Sequence, residues 1–380
     1  MKIVYCIHSI GNPGGMERVL LNKVCYLVEQ LQWDITVVTT DQHGRKPFYP
    51  FPKGVKMVDL DINYSDDNDK GTTKKITSYL RKRRLHKQRL TELLMKEKAD
   101  IVVSLYPSES SFIPDIKDGS KKVLELHFNK FFRLQYNRKG VIGMIDRFRT
   151  WQDKCIVQKF DSFVVLTEED KGYWGNLSNI EAIPNAVKPT DGRLCDVTKK
   201  RVIAVGRLDY QKGFDRLIEA WDIVVKDSRL ADWRLDIFGQ GEWHQMLSDM
   251  IQERGISSVT AINPPTNAIN EEYLRSSLIV MTSNYEGFGM VLVEAMSRGV
   301  PAISFDCVCG PSDIISHEKN GLLVKNGDIA ALAESMKRVM LDDEYRRRLS
   351  EEACKITQKY DENKIMQQWH DLFLSLKEQK

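Results

Sequence analysis

Arg207 and Lys212 stand five residues apart directly after the apolar run KRVIAVG, in a stretch that also holds Asp209, Tyr210 and Gly213. A guanidinium and an ammonium at the carboxyl end of a strand supply the positive charge that a diphosphate needs, and open α/β sheets bind ligands at that end. The same pair also reads as a solvated surface loop. A sharper pattern is Glu286-Gly-Phe-Gly-Met-Val-Leu-Val-Glu294, which follows the run LIVMTS. Gly287 and Gly289 break the chain there, and VLVEAMSRG reads as a short helix closed by Gly299. Glu286 then lies in the turn and Glu294 in the helix, so the two carboxylates reach different parts of a polar ligand. A carboxylate accepts two hydrogen bonds from a diol, which suits sugar and ribose hydroxyls; either glutamate alone fits a capping or solvent-facing role equally well. Gly11, Gly14 and Gly15 occupy the first strand-to-helix turn, where backbone comes close to a ligand and a helix start offers free N–H groups to an anion. His127 ends the run KKVLELH; alone, a histidine there is more often structural.

These residues need strands and helix starts to hold them. KIVYCIH, DITVVTT, VKMVDL, DIVVSL, KKVLELH and DSFVVLT in the first half, then KRVIAVG, WRLDIFG, SSVTAI, LIVMTS, PAISFD and GLLV, are near-continuous apolar runs separated by helical patterns. Such runs argue for parallel sheets covered on both faces, hence two doubly wound α/β units. A chain of 380 residues agrees with two, because single cores stop growing near roughly 250 to 300 residues. IPNAVKPTDGRLCDVTK, rich in Pro, Gly, Asp and Thr and without periodicity, places the boundary near residues 184–199. In the last segment, Ile365, Trp369, Leu372, Phe373 and Leu376 fall on one helical face that needs a partner surface.

Composition excludes several classes. Fifty-six basic against 53 acidic residues leave a net charge of +3, which gives nucleic-acid binding no global support. No stretch approaches the roughly 18 to 20 apolar residues of a membrane span. MKIVYCIHSI reads as a buried strand and lacks the parts of a secretory signal, so the expected compartment is the cytoplasm. The seven cysteines are scattered and odd in number, and Cys307 and Cys309, one residue apart, have poor metal-ligand spacing; they read as packing residues, with no metal site expected.

Taken together, Gly14-Gly15-Met16-Glu17, His127, Ile183-Pro184-Asn185, Gly206-Arg207 with Lys212-Gly213, and Glu286 with Glu294 resemble the retaining glycosyltransferases of family 4, which share a two-domain fold called GT-B. The resemblance covers nearly the whole chain. It implies two Rossmann-like domains facing across a cleft: an acceptor-binding domain over 1–184, a nucleotide-sugar-binding domain over 185–360, and a C-terminal helix over 361–380 packed on the first domain. By the same resemblance Arg207 and Lys212 neutralise the donor diphosphate, helped by backbone N–H groups at Gly15 and after Gly289. Glu294 holds the ribose hydroxyls, and Glu286 the transferred sugar's hydroxyls. His127 faces that sugar, and Gly287, Phe288, Gly289, Met290 and Val291 line the donor. No cofactor or divalent metal is implied, the Arg/Lys pair taking the cation's role, and no protein nucleophile, since the departing phosphate takes the acceptor's proton. Many relatives carry two glycines where this chain has Asp306-Cys-Val-Cys-Gly310-Pro311-Ser312-Asp313; that form resembles the subgroup using UDP-linked galactose, glucose or N-acetylhexosamine. Ala186 also replaces a more frequent glycine.

The acceptor side is read from charge and aromatics. Residues 74–98 form a dense basic helix, which reads equally as a solvated one. HFNKFFRLQYNRKGVIGMIDRFRTW then interleaves Phe128, Phe131, Phe132, Tyr136, Phe148 and Trp151 with Lys130, Arg133, Arg138, Lys139, Arg147 and Arg149. Basic residues mixed with large apolar ones fit anionic headgroups or a lipid diphosphate. The expectation is therefore a hexosyltransferase acting on a glycan or lipid-linked intermediate of polysaccharide biosynthesis, peripheral on the inner face of the cytoplasmic membrane. Two alternatives are a nucleotide-sugar epimerase of the same architecture, which needs no acceptor, and a non-catalytic nucleotide-sugar-binding partner.

Overall fold

The computed structural model describes residues 1–12, 14–67, 71–105, 109–136, 138–188 and 190–379. Pro13 in the first glycine loop, Asn137 in the basic and aromatic segment, Pro189 in the Pro/Gly-rich stretch and Lys380 lie outside them. The chain divides into two compact units, one of Met1–Leu166, Asp170–Pro184 and Asn363–Lys380, the other of Thr167–Glu169 and Asn185–Glu362.

The first unit is built on a seven-stranded parallel sheet of β1 (Lys2–Cys6), β2 (Asp34–Thr39), β3 (Lys56–Asp59), β4 (Ile101–Ser104), β5 (Lys121–Glu125), β6 (Ser162–Val165) and β7 (Ile180–Ala182), in the order β3-β2-β1-β4-β5-β6-β7. Ile3 in β1 lies opposite Ile35 on one side and Ile101 on the other, and the central strands are almost wholly buried, as apolar runs between two helix layers must be. β3 differs. It is an edge strand, and its exposed Lys56, Met57 and Asp59 blunt that edge rather than fill a core. β7 has three residues and is the strand sequence patterning misses. The helices are α1 (Gly15–Glu29), α2 (Thr72–Glu97), α3 (Gly140–Val157) and α4 (Glu168–Trp174).

The second unit carries a six-stranded parallel sheet of β8 (Arg201–Val205), β9 (Arg234–Phe238), β10 (Thr260–Asn263), β11 (Leu278–Met281), β12 (Ala302–Asp306) and β13 (Gly321–Lys325), ordered β10-β9-β8-β11-β12-β13. Its helices are α5 (Phe214–Val225), α6 (His244–Glu253), α7 (Ile269–Leu274), α8 (Met290–Met296), α9 (Pro311–Ile314), α10 (Ile329–Leu341), α11 (Asp343–Ala353) and α12 (Ile356–Lys359). Asp328 and Asp342 cap α10 and α11 by accepting from Ala331 N and Tyr345 N at 3.0 and 2.8 Å. The Pro/Gly-rich stretch packs onto this unit: Asp191 pairs with Arg193 and Arg298, Arg193 reaches Glu271 at 2.6 Å, and Cys195 N donates to the Arg298 carbonyl.

The final helix, α13 (Glu362–Glu378), buries Ile365, Met366, Trp369, Leu372, Phe373 and Leu376. From Asn363 onward it belongs to the first unit. There the Lys23 ammonium sits 3.5 Å from the Trp369 ring centroid, Trp33 stacks on His370 at 5.6 Å, and Lys377 Nζ lies 3.3 Å from Asp100.

Candidate functional site

Both sheets reverse their strand order once, between β1 and β4 and between β8 and β11, and the carboxyl ends of strands at such a reversal open onto a ligand crevice. In the second unit the loops after β8 and β11 meet there. Asn284 N donates to the Gln211 carbonyl at 2.7 Å, Asn284 Nδ2 to the Tyr210 carbonyl at 2.6 Å, and Thr282 Oγ1 to the Lys212 carbonyl at 3.2 Å. These three hydrogen bonds tie the two loops together. Glycine is required twice in them. A Cβ at Gly206 would come within 2.9 Å of Lys212 Cγ, and Gly213, at a φ of +59°, would put a Cβ 2.5 Å from the Thr282 carbonyl.

This frame lays the Lys212 side chain against Glu286, with Nζ 2.6 Å from Oε1. Ser283 Oγ donates to the same oxygen at 2.5 Å. Glu286 is buried, so the ammonium and hydroxyl hold its carboxylate in one orientation. An ammonium has three N–H donors, so holding Glu286 does not exhaust Lys212. Arg207 is different: its side chain is 65% exposed, steadied by Gln211 Oε1 at 2.6 Å and by Asp209 at 3.4 Å. Of the predicted residues, Lys212 and Glu286 are in contact, and Arg207 stands on the same loop.

Gly289, at a φ of +97°, turns the chain into α8 with no side-chain cap, so the N–H groups that open this helix at Met290 and Val291 meet no side-chain acceptor at its cap. Gly287 precedes it, half-buried. The Phe288 ring is buried edge-on against Tyr360, centroids 5.2 Å apart, which leaves its backbone rather than its ring for a ligand. Glu294 lies further along α8, where it accepts from the hydroxyl of the fully buried Tyr273 at 3.3 Å. Ser283 and Tyr273, which orient the two glutamates, escape a reading of the sequence; Ser283 stands three residues before Glu286, but Tyr273 lies on another helix.

In the first unit, Gly15 opens α1 with no atom within 4 Å of where its Cβ would stand, whereas a Cβ at Gly14 would fall 2.0 Å from Glu17 Oε2. His127 follows β5 with Nε2 3.2 Å from Glu125 Oε1, and Lys23 Nζ lies 2.6 Å from that same oxygen. Lys23 occupies the buried face of α1 beside Val19, Leu20, Val24 and Leu27. Burial pushes the Glu125 carboxyl up, but the Lys23 ammonium and the His127 ring outweigh it and hold the carboxyl well below its ordinary range. Lys23 and Glu125 are further residues the sequence reading passes over. The signal was there for the lysine, which falls at i+4 from Val19 and i+3 from Leu20 on an apolar stripe.

Among the described residues no three His, Cys, Asp or Glu side chains are disposed to hold a metal ion, and no helix is long and apolar enough to cross a membrane. Cys307 and Cys309 are buried, and burial pushes the Cys307 thiol well up.

Residues 193–356 match the family model of the glycosyl transferases group 1. Arg207, Lys212, Glu286 and Glu294 fall inside the matched span of this chain, and Gly15 and His127 outside it. It is similar along its length to an uncharacterised glycosyltransferase of Haemophilus influenzae, 28% identical over 97% of this chain and 98% of the relative. The amylovoran biosynthesis glycosyltransferase AmsD of Erwinia amylovora is 27% identical over 98% of this chain and 99% of its own. Among solved structures, that of an S. aureus TarM mutant in complex with Fondaparinux, alpha-GlcNAc-glycerol and UDP aligns with a TM-score of 0.77 at 18% identity, over 98% of this chain and 99% of that one. The chain thus has the GT-B fold of two Rossmann-like units.

Proposed function

We propose that the chain transfers a hexose or N-acetylhexosamine from a UDP-sugar to a glycan acceptor of a surface polysaccharide, with retention of anomeric configuration. The observation that carries this reading is the Lys212–Glu286 pair, with Arg207 on the same loop, at the reversal point between β8 and β11. As the bond from the sugar's anomeric carbon to the diphosphate oxygen breaks, Arg207 and Lys212 stabilise the charge that gathers on the departing diphosphate. Glu286, held by Lys212 and Ser283, accepts from hydroxyls of the transferred sugar, and Glu294 from the ribose diol. Gly15 and the N–H groups of the EGFG turn add donors, and His127 contacts the sugar, as the family resemblance implies. The departing phosphate takes the acceptor hydroxyl's proton, and no metal ion is required. UDP is supported by the TarM complex and by the loop from Asp306 to Asp313; the acceptor class is supported by the role of AmsD in amylovoran biosynthesis.

The test measures UDP release from a panel of UDP-sugars with and without a polysaccharide-repeat acceptor, with EDTA present, and reads the product's anomeric configuration by NMR. Acceptor-stimulated release that survives EDTA and yields retained product is expected. Tight binding of GDP with none of UDP would overturn the donor, and epimerised sugar formed without acceptor would make the chain an epimerase.

A further inference from the structure

α3 is built inside out. Its buried positions are polar or small, Asp146, Thr150, Asp153 and Val157, at intervals of four, three and four. Its large apolar side chains face away: Val141, Ile142, Met144, Ile145, Phe148 and Trp151 are 73, 55, 69, 46, 59 and 63% exposed. At about 100° per residue, Val141, Met144, Ile145, Phe148 and Trp151 form one stripe opposite the buried face. Phe148 and Trp151 lean together on it, centroids 5.8 Å apart.

The charges are sorted in the same way. Both acids of α3 point inward, Asp146 accepting from Arg138 at 2.8 and 3.0 Å and Asp153 pairing with Arg133. Its exposed charged side chains are Arg147, Arg149 and Lys154, all cations, with Arg147 and Arg149 on either flank of the apolar stripe. The basic and aromatic segment is therefore divided. Lys130 and Arg133 serve the fold, Lys130 by donating to the Tyr173 carbonyl, while the outward cations are those of α3, Lys139 before it, and Arg138, which also holds Asp146.

We infer that α3 lies in the interface of an anionic bilayer, with its apolar stripe among the acyl chains and Arg147 and Arg149 at the phosphates. An apolar face this size is an interaction surface, and a stripe flanked by cations with no outward acid matches a sheet of anionic headgroups. A second copy of the chain would set like charges against like, which disfavours that occupant. This inference stands apart from the donor chemistry, since it concerns where the first unit docks and not what the second unit binds.

The test uses the full chain and vesicles of neutral lipid with and without about a third phosphatidylglycerol. Wild type floats with the anionic vesicles at low salt, and Trp emission shifts to the blue. Ile145→Ser/Phe148→Ser/Trp151→Ser lowers the bound fraction at least tenfold with an unchanged melting temperature, because those side chains are exposed. Arg147→Glu/Arg149→Glu abolishes the preference for anionic lipid, and UDP release in free solution is unchanged in both variants. Wild type that stays soluble at low salt, or serine variants that float as well as wild type, overturns the inference. A wild-type dimer in light scattering that the serine variant converts to monomer overturns it also, and makes α3 an interface between copies.

Discussion

At the scale of single residues, Arg207 and Lys212 carry like charge in unlike settings, and the difference can be measured. Arg207 is mostly exposed, while Lys212 is packed against the buried Glu286. Each is expected to lower transfer at least about a hundredfold when replaced by Ala, since one electrostatic stabiliser contributes roughly 3 kcal/mol to the barrier. Stability separates them. Arg207→Ala leaves the melting temperature where it was. Lys212→Ala strips the ammonium from a buried carboxylate, a change that costs roughly 3–5 kcal/mol when a buried pair loses one partner, so its melting temperature falls. Calorimetry beside a transfer assay reads both quantities; wild-type activity in both variants would remove the diphosphate assignment.

At the scale of elements, α2 carries a buried group on which pH acts. His86 is buried on this helix, its Nδ1 3.2 Å from the Tyr64 hydroxyl and its ring edge-on to Phe112 at 5.1 Å. Burial, only partly opposed by Asp41, lowers its pKa from 6.5 to about 4. The folded chain then holds His86 neutral where the unfolded chain takes up a proton. Stability is complete above pH 6.5 and drains away as pH falls toward 4, by about 3 kcal/mol in all. Urea unfolding at pH 7 and pH 4.5 is expected to show a smaller loss for His86→Gln than for wild type; equal losses would place the acid sensitivity elsewhere. Elements also show where patterning misleads. The basic and aromatic composition of 127–151 was plain in the sequence, but not that Asp146 and Asp153 face inward, paired with Arg138 and Arg133, and leave α3 with its apolar face out.

At the scale of the whole molecule, the chain ends in the unit where it began. α13 buries Trp369 under Lys23 and Phe373 beside Trp33, so the C-terminal residues complete the first unit's surface. Trp369→Ala is expected to cost about 3–5 kcal/mol, the usual range for emptying a large aromatic site. That loss belongs to the first unit. In scanning calorimetry the transition of the first unit should move down while that of the second stays in place; a wild-type thermogram would mean that the helix contributes little.

What the sequence by itself determined is whatever depends on periodicity and near neighbours. Apolar runs of strand length between helical stretches specify parallel α/β units, because only a strand covered on both faces is apolar throughout. Gly213 and Gly289 stand at turns in the left-handed region that favours glycine, and Arg207, Lys212, Glu286 and Glu294 stand out as candidates by type and spacing, each beside an ordinary surface or capping role. β7 was lost because three residues carry no period. The tertiary structure decided which distant residues meet. Lys212 and Glu286 are 74 residues apart and Lys23 and Glu125 are 102, brought together by strand order rather than by anything local. The same holds for Tyr273 against Glu294, and for the surface under the α13 stripe, which periodicity left open and only the family resemblance placed on the first domain. A side chain's type travels with the sequence; its partner is set by how the sheet orders its strands, and that is a property of the folded chain.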